Sequence, residues 1–217
     1  MNYHRKIIGV FAVVLMLGLT SCIDLLNEIT INKDKSGTAF VGIKVNGIAG
    51  LINLDNDFLD KDVKNSVVRF PSQSASRIEG IEGISKIETY TKLIQGKLGI
   101  QFNFKNQKAL NQAYYSLLGE DKKWFYPKMV KVSTHKVKIR NMSPFIKRYF
   151  EENDNLLSDN DLLKYLNYTT VIHLPSKVKD DSFNKGKLSK DGQTLSYSVN
   201  MKKILEENAA CGNSMKY

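Results

Sequence analysis

The sequence predicts an α+β domain: a mostly antiparallel sheet of hairpins with helices packed on one side. Three observations predict it. Apolar and polar residues alternate in several short runs. Neighbouring runs are joined by Gly-, Asp- and Asn-containing turn signals, which reads as hairpins. Between the pairs lie stretches whose apolar residues recur at helical spacing. Strands joined by short links run antiparallel, because a parallel pair needs a long crossover.

Glu28 to Lys33 alternates, with Ile29 and Ile31 on one face. Asp34-Lys35-Ser36-Gly37 is a turn signal, and Thr38 to Asn46 alternates again through Ala39, Val41, Ile43 and Val45. This is the first hairpin. Residues 47–77 are less regular. Gly47 and Gly50 break the pattern, and part of 56–68 is a helix candidate within the acidic stretch Asp55, Asp57, Asp60 and Asp62. Pro71 and Ser72 to Ser76 mark a loop or a helix entry.

Isoleucine at 78, 81 and 84, with Gly80 and Gly83 between, reads as a helix end turning into a strand. Strands are expected over Lys86 to Lys92 and Gly96 to Phe104. Asn106 is placed to cap a helix over 107–118, where Leu110, Ala113, Tyr114, Leu117 and Leu118 form one stripe. Val130 and Val132 alternate, as do Val137 and Ile139. The phase slips near Thr134-His135, which predicts a bulge or a turn there.

Ser143-Pro144 has the chemistry of a helix N-cap and first position, with Ile146, Tyr149 and Phe150 on one face behind it. Ser158 with Asp161 resembles a capping box before Leu162, Leu163 and Leu166. Strands follow at Tyr168 to Leu174 and Thr194 to Asn200, then a short helix over about 201–210 with Gly212 as its stop.

The N-terminus carries an address. Arg5 and Lys6 precede an apolar run from Ile7 to Leu19, 13 residues long. That fits a signal-peptide core and falls short of the ~20 residues a membrane-spanning helix needs. The run ends in Leu19-Thr20-Ser21-Cys22, which resembles the lipobox of bacterial lipoproteins at all four positions. The resemblance implies cleavage between Ser21 and Cys22 and acylation of the Cys22 sulfur, the lipid anchor. The competing readings are an ordinary secretory signal and an uncleaved anchor helix. The expected organisation is a signal peptide at 1–21, the lipidated cysteine and a short tether at 22–27, one domain at 28–210 and a C-terminal tail at 211–217.

Removing residues 1–21 of the 217 leaves 196, enough for one large core or two small ones. The signal segment holds two basic and no acidic residues, so the remainder keeps +8 of the formal +10. Such charge outside the cytoplasm points to anionic surfaces, and nucleic acid is not an expected partner in that compartment. With Cys22 lipidated, Cys211 has no intramolecular partner and reads as a buried or tail thiol. Ile23 follows the cysteine where an Asp would favour inner-membrane retention, which implies the outer membrane if the host has one, and no acidic cluster directly after Cys22 marks surface export, which favours the periplasmic side.

The hairpin, the central helices and the stretch from His173-Leu174-Pro175 to Asp191-Gly192-Gln193-Thr194-Leu195-Ser196-Tyr197 give a layout similar to the LppM-type lipoproteins. That resemblance implies an anchored α+β domain associated with envelope lipids.

Catalytic signatures are missing. There is no G-x-S-x-G, H-E-x-x-H, Gly-rich phosphate loop or C-x-x-C. His135 and His173 each sit in a β-like run with no local nucleophile signature. The acidic stretch around Asp55 lacks the Gly and distal Glu of a calcium loop, so no metal or other cofactor is expected. The strongest feature is basic. Lys122 to Arg148 contains nine Lys or Arg and no Asp or Glu. Its candidate anion-binding residues are Lys131, Lys136, Lys138, Arg140, Lys147 and Arg148, with Trp124, Phe125 and Tyr126 nearby. Basic and aromatic residues together suit lipid headgroups, and a solvated sheet face is the plainer alternative. The expectation is a non-enzymatic binding or structural module for an envelope lipid, glycan or protein. The alternatives are a subunit of an envelope complex and an envelope hydrolase.

Overall fold

In the computed structural model the alternating runs pair into two sheets. The structure describes residues 23–45, 61–91, 96–120, 127–152, 162–179 and 183–217. The first hairpin is β1 (Ile23–Ile31) and β2 (Gly37–Val45), followed by helix α1 (Lys61–Ile78). Next come β3 (Ile84–Tyr90), β4 (Lys97–Phe104) and α2 (Gln107–Leu117). A second hairpin, β5 (Val130–Ser133) and β6 (Lys136–Ile139), leads into α3 (Ser143–Glu151). After a 3-10 turn at Leu162–Lys164 come β7 (Leu166–His173), β8 (Lys187–Leu188), β9 (Thr194–Asn200), α4 (Met201–Glu206) and β10 (Asn213–Lys216).

The large sheet has the order β3-β4-β2-β1-β7-β9-β8, and the small one β10-β6-β5. The class is α+β and the sheets are mostly antiparallel, as the sequence predicts. The exception is central: β1 and β7 run parallel. The long stretch between them supplies the crossover that a parallel pair requires.

Register explains the core. Phe102, Ala39, Ile29, Ile172 and Leu195 lie in one cross-strand row, all with next to no exposure. Leu110 and Ala113 of the predicted α2 stripe belong to the same core. Each fully buried large side chain contributes about 1.5–3 kcal/mol. Asn106 caps α2 as predicted, its side-chain oxygen accepting from the Ala109 N–H at 3.0 Å. A second, smaller core gathers Leu163, Met201, Ile204 and Cys211 with Leu25, Ile146, Phe150 and Leu166, where β1 and β7 begin.

The small sheet packs Val130, Val132, Val137, Ile139 and Met215 into the main core. The edge of β5 is closed by side chains of α2. Asn111 Nδ2 donates to the Val130 carbonyl at 2.8 Å, and its Oδ1 accepts from the Val130 N–H at 3.0 Å. Gln107 Oε1 accepts from the Val132 N–H at 2.7 Å. This helix does for the edge what a further strand would do, so the edge offers less to another chain.

Several expectations change. β1 starts at Ile23, so the tether expected over 22–27 is already strand from its second residue. The loop or helix entry expected at Pro71 to Ser76 is helix throughout. Pro71, Ser74, Ala75 and Ile78 make an i, i+3, i+4, i+7 stripe turned toward the core, and the small side chains hid its amphipathic character. The tail expected over 211–217 is an integral strand, with Met215 fully buried. Gly212 is no helix stop. A Cβ there would stand 2.7 Å from the Asn141 backbone nitrogen, so glycine lets the chain enter β10. Ser143 is not the cap of α3 either; Met142 holds that position, and the Ser143 hydroxyl donates to the Ala209 carbonyl. The slip at Thr134-His135 is the turn between β5 and β6. Asp55, Asp57, Asp60 and the capping box at Ser158 and Asp161 lie outside the described residues.

Candidate functional site

Because β5 and β6 alternate, burying their valines and Ile139 turns Lys131, Ser133, Lys136 and Lys138 outward. The hairpin register sets Lys131 opposite Lys138 and Ser133 opposite Lys136. On the other side of β6, β10 sets Ser214 opposite Lys138 and Lys216 opposite Lys136. Three strands therefore present four lysines and two serines on one face, and all four lysines are exposed. Lys131, Lys136 and Lys138 make no salt bridge among the described residues.

Like charges directly opposite each other on a sheet destabilise it, by up to about 1 kcal/mol a pair. Ammonium groups carry three donors each and no acceptor. A flat array of them suits phosphate or carboxylate oxygens on a surface or polymer.

The other candidates are spread around this face. Arg140 follows the last residue of β6; its guanidinium stacks 5.5 Å from the Phe145 ring centroid, and its Nη1 is buried without a hydrogen-bond partner among the described residues. Lys147 donates to Asn208 Oδ1. Arg148 pairs with Glu120 and, at 3.9 Å, with Glu152. These three are engaged on and around α3. Ser21, Cys22, Lys122, Lys123, Trp124, Phe125 and Tyr126 lie outside the described residues.

A second charged cluster lies on the large sheet, on the face away from the core. Glu28 Oε1 meets His173 Nε2 at 2.9 Å, and His173 Nδ1 meets Thr194 Oγ1 at 2.9 Å. Lys97 Nζ reaches Glu28 Oε2 at 3.4 Å while passing 5.1 Å from the Phe40 ring centroid. Phe40 is buried because it lies over Gly42 and Gly99; a Cβ on either would approach its ring tip to about 3 Å. The hydrogen bond from His173, then the positive charge of Lys97, holds the Glu28 carboxyl down at about 2 despite partial burial. Sequence reasoning missed this cluster, because Glu28 and His173 are 145 positions apart.

Hydroxyl, imidazole and carboxylate in a chain are the parts of a nucleophilic triad. Acyl transfer also needs free N–H donors aimed at the developing oxyanion. Here the surrounding strands spend their N–H groups on pairing, and the Thr194 N–H is bound by Ser189 Oγ. The arrangement ties three strands together.

The face turned to the core carries a buried polar row. Asn27, Thr170 and Tyr197 are cross-strand neighbours. Tyr114 donates to Asn27 Oδ1 at 2.5 Å, and Tyr197 donates to the Cys211 carbonyl at 3.0 Å. Burial pushes the Tyr168 hydroxyl up to about 12 and raises the Cys211 thiol, so both stay protonated at neutral pH. Cys211 is a free, fully buried thiol. Among the described residues no group of His, Cys, Asp and Glu is arranged to hold a metal ion, and no helix is long and apolar enough to cross a membrane.

No family model matches the chain. No curated protein matches it either. Among solved structures, it is similar to the folded domain of the Mycobacterium tuberculosis LppM protein, determined by NMR, at 12% identity and a TM-score of 0.42, over 90% of this chain and 88% of that one.

Proposed function

We propose that this chain is a lipid-anchored cell-envelope binding module, not an enzyme, whose small-sheet lysine face holds a phosphate- or carboxylate-bearing envelope component. The observation that carries the reading is the register that sets Lys131 opposite Lys138, with Lys136 beside them on the same exposed face. A pair like Lys131 and Lys138 costs stability, which is understandable when an anion joins it. The anchor is acylated Cys22, supported by the lipobox-like Leu19 to Cys22. Ile23 after that cysteine supports an outer membrane, and the lack of an acidic cluster directly after Cys22 supports its periplasmic side.

The test uses the chain from residue 22 onward with Cys22→Ser, mixed with phosphatidylglycerol vesicles, phosphatidylcholine vesicles or a phosphorylated envelope glycan. Salt-sensitive binding to the anionic vesicles assigns a lipid headgroup, and binding to the glycan alone assigns the polymer. The triple variant Lys131→Glu, Lys136→Glu, Lys138→Glu loses either. Undiminished binding by that variant contradicts the reading. Capture of a protein by the same face, with neither anion bound, would favour the envelope-complex subunit.

A further inference from the structure

The lipid-anchor reading leaves open how the domain stands on its membrane, and the start of β1 answers this. The Ile23 N–H donates to the Tyr165 carbonyl at 3.0 Å, so the first residue after Cys22 is already held by the fold. A lipid on Cys22 would join a rigid sheet with no slack between. Whatever surrounds Ile23 must then lie against the bilayer.

The register identifies those surroundings. Ile23 is flanked by Val45, the last residue of β2, and by Leu166, the first of β7. Lys44 and Lys97 face each other across β2 and β4 at the same end. The second core lies beneath, and two large aromatics on its rim are exposed. Tyr165, between the 3-10 turn and β7, is 53% exposed; Tyr149, beside Phe150 of that core, is 55% exposed. Tyrosine has an apolar ring and a polar tip, which suits it to the headgroup level of a bilayer. Lys44 is exposed at this end, with a long stem that lets its ammonium reach lipid phosphate.

We infer that this end of the fold, rimmed by Tyr165 and Tyr149, seats on the anchoring bilayer. The inference rests on the lipid-anchor reading. It also deepens the binding proposal. β1 has nine residues and spans ~30 Å at ~3.3 Å per residue. The Lys216 carbonyl accepts from the Lys179 N–H, past the far end of β7, so the Lys136 and Lys216 row lies at the opposite end from Ile23. Seated this way, the domain holds that row off the anchoring membrane, turned toward a component beyond it.

The test uses the full chain, processed in a bacterial host and reconstituted into phosphatidylethanolamine/phosphatidylglycerol vesicles. Spin labels are placed by Tyr165→Cys, Tyr149→Cys and Ser36→Cys, the last in the turn at the far end of β1. Tyr165 and Tyr149 are more than half exposed, Ser36 is partly exposed in a surface turn, and buried Cys211 is protected from labelling. The expected result is a several-fold higher ratio of oxygen to nickel-chelate collisions at 165 and 149 than at 36. Acylated, membrane-bound protein whose labels at 165 and 149 are as water-exposed as that at 36 overturns the seat and spares the anchor. Protein whose mass shows no acyl group on Cys22 overturns both.

Discussion

Two sheet faces turn away from the main core, and their charges are arranged in opposite ways. On the large sheet Glu28 sits between His173 and Lys97, each with a carboxylate oxygen to meet. On the small sheet Lys131 faces Lys138, with Lys136 beside them on the same face. The first arrangement ties β1 to its neighbours, and its polar groups are satisfied within the fold. The second weakens the small sheet and leaves ammonium donors turned outward. A face that stabilises the fold and a face that costs it stability are physically distinct, and the costly one is the better guide to function.

Breaking the small sheet gives the largest expected effect. Gly212→Ala sets a Cβ against the Asn141 backbone, which must shift, at a cost of about 1–3 kcal/mol. β10 would leave β6, and anion binding would fall along with the urea midpoint. On the large sheet, Glu28→Gln removes the charged acceptor shared by His173 and Lys97 and should lower stability by about 1–2 kcal/mol in urea titrations. An unchanged midpoint would show that the cluster is ornamental.

The same carboxylate sets an acid response. Its folded value of about 2 lies below its ordinary value of 4.5, so its contribution is complete above about pH 4.5. It is lost as pH falls toward 2, by about 1–2 kcal/mol after allowing for solvent exposure. Glu28→Gln should flatten that part of the stability profile. An equally steep fall in the variant would place the acid sensitivity elsewhere. The smallest effect concerns salt. Raising ionic strength should stabilise the small sheet by a few tenths of a kcal/mol, by screening its lysines. Hydrogen exchange at β5 and β6 amides reads this, and greater exchange in salt would speak against lysine repulsion.

What was legible in the sequence was local. The stripe of α2 and the alternation of β4 and β9 each lie within a dozen residues, so periodicity alone exposes them. The lysine face was half legible for the same reason: Lys136 and Lys138 alternate with Val137 and Ile139. Lys216 was missed because β10, Asn-Ser-Met-Lys, holds a single apolar residue and so shows no alternation. Arg140 has the parity of Lys136 and Lys138 in sequence, yet β6 ends one residue earlier and the guanidinium turns to Phe145. The Glu28 cluster depends on the parallel pairing of β1 with β7, which no local pattern encodes.

One charge reversal tests the central claim most directly. Lys138→Glu turns a like-charged neighbour of Lys131 into an opposite one. Stability and anion binding should be measured on the same preparation, by urea titration and by titration with the anionic partner. The account predicts a gain of about 0.2–1 kcal/mol in stability together with weaker binding. A stability loss with binding unchanged would contradict it, and would make the lysine face an ordinary solvated surface.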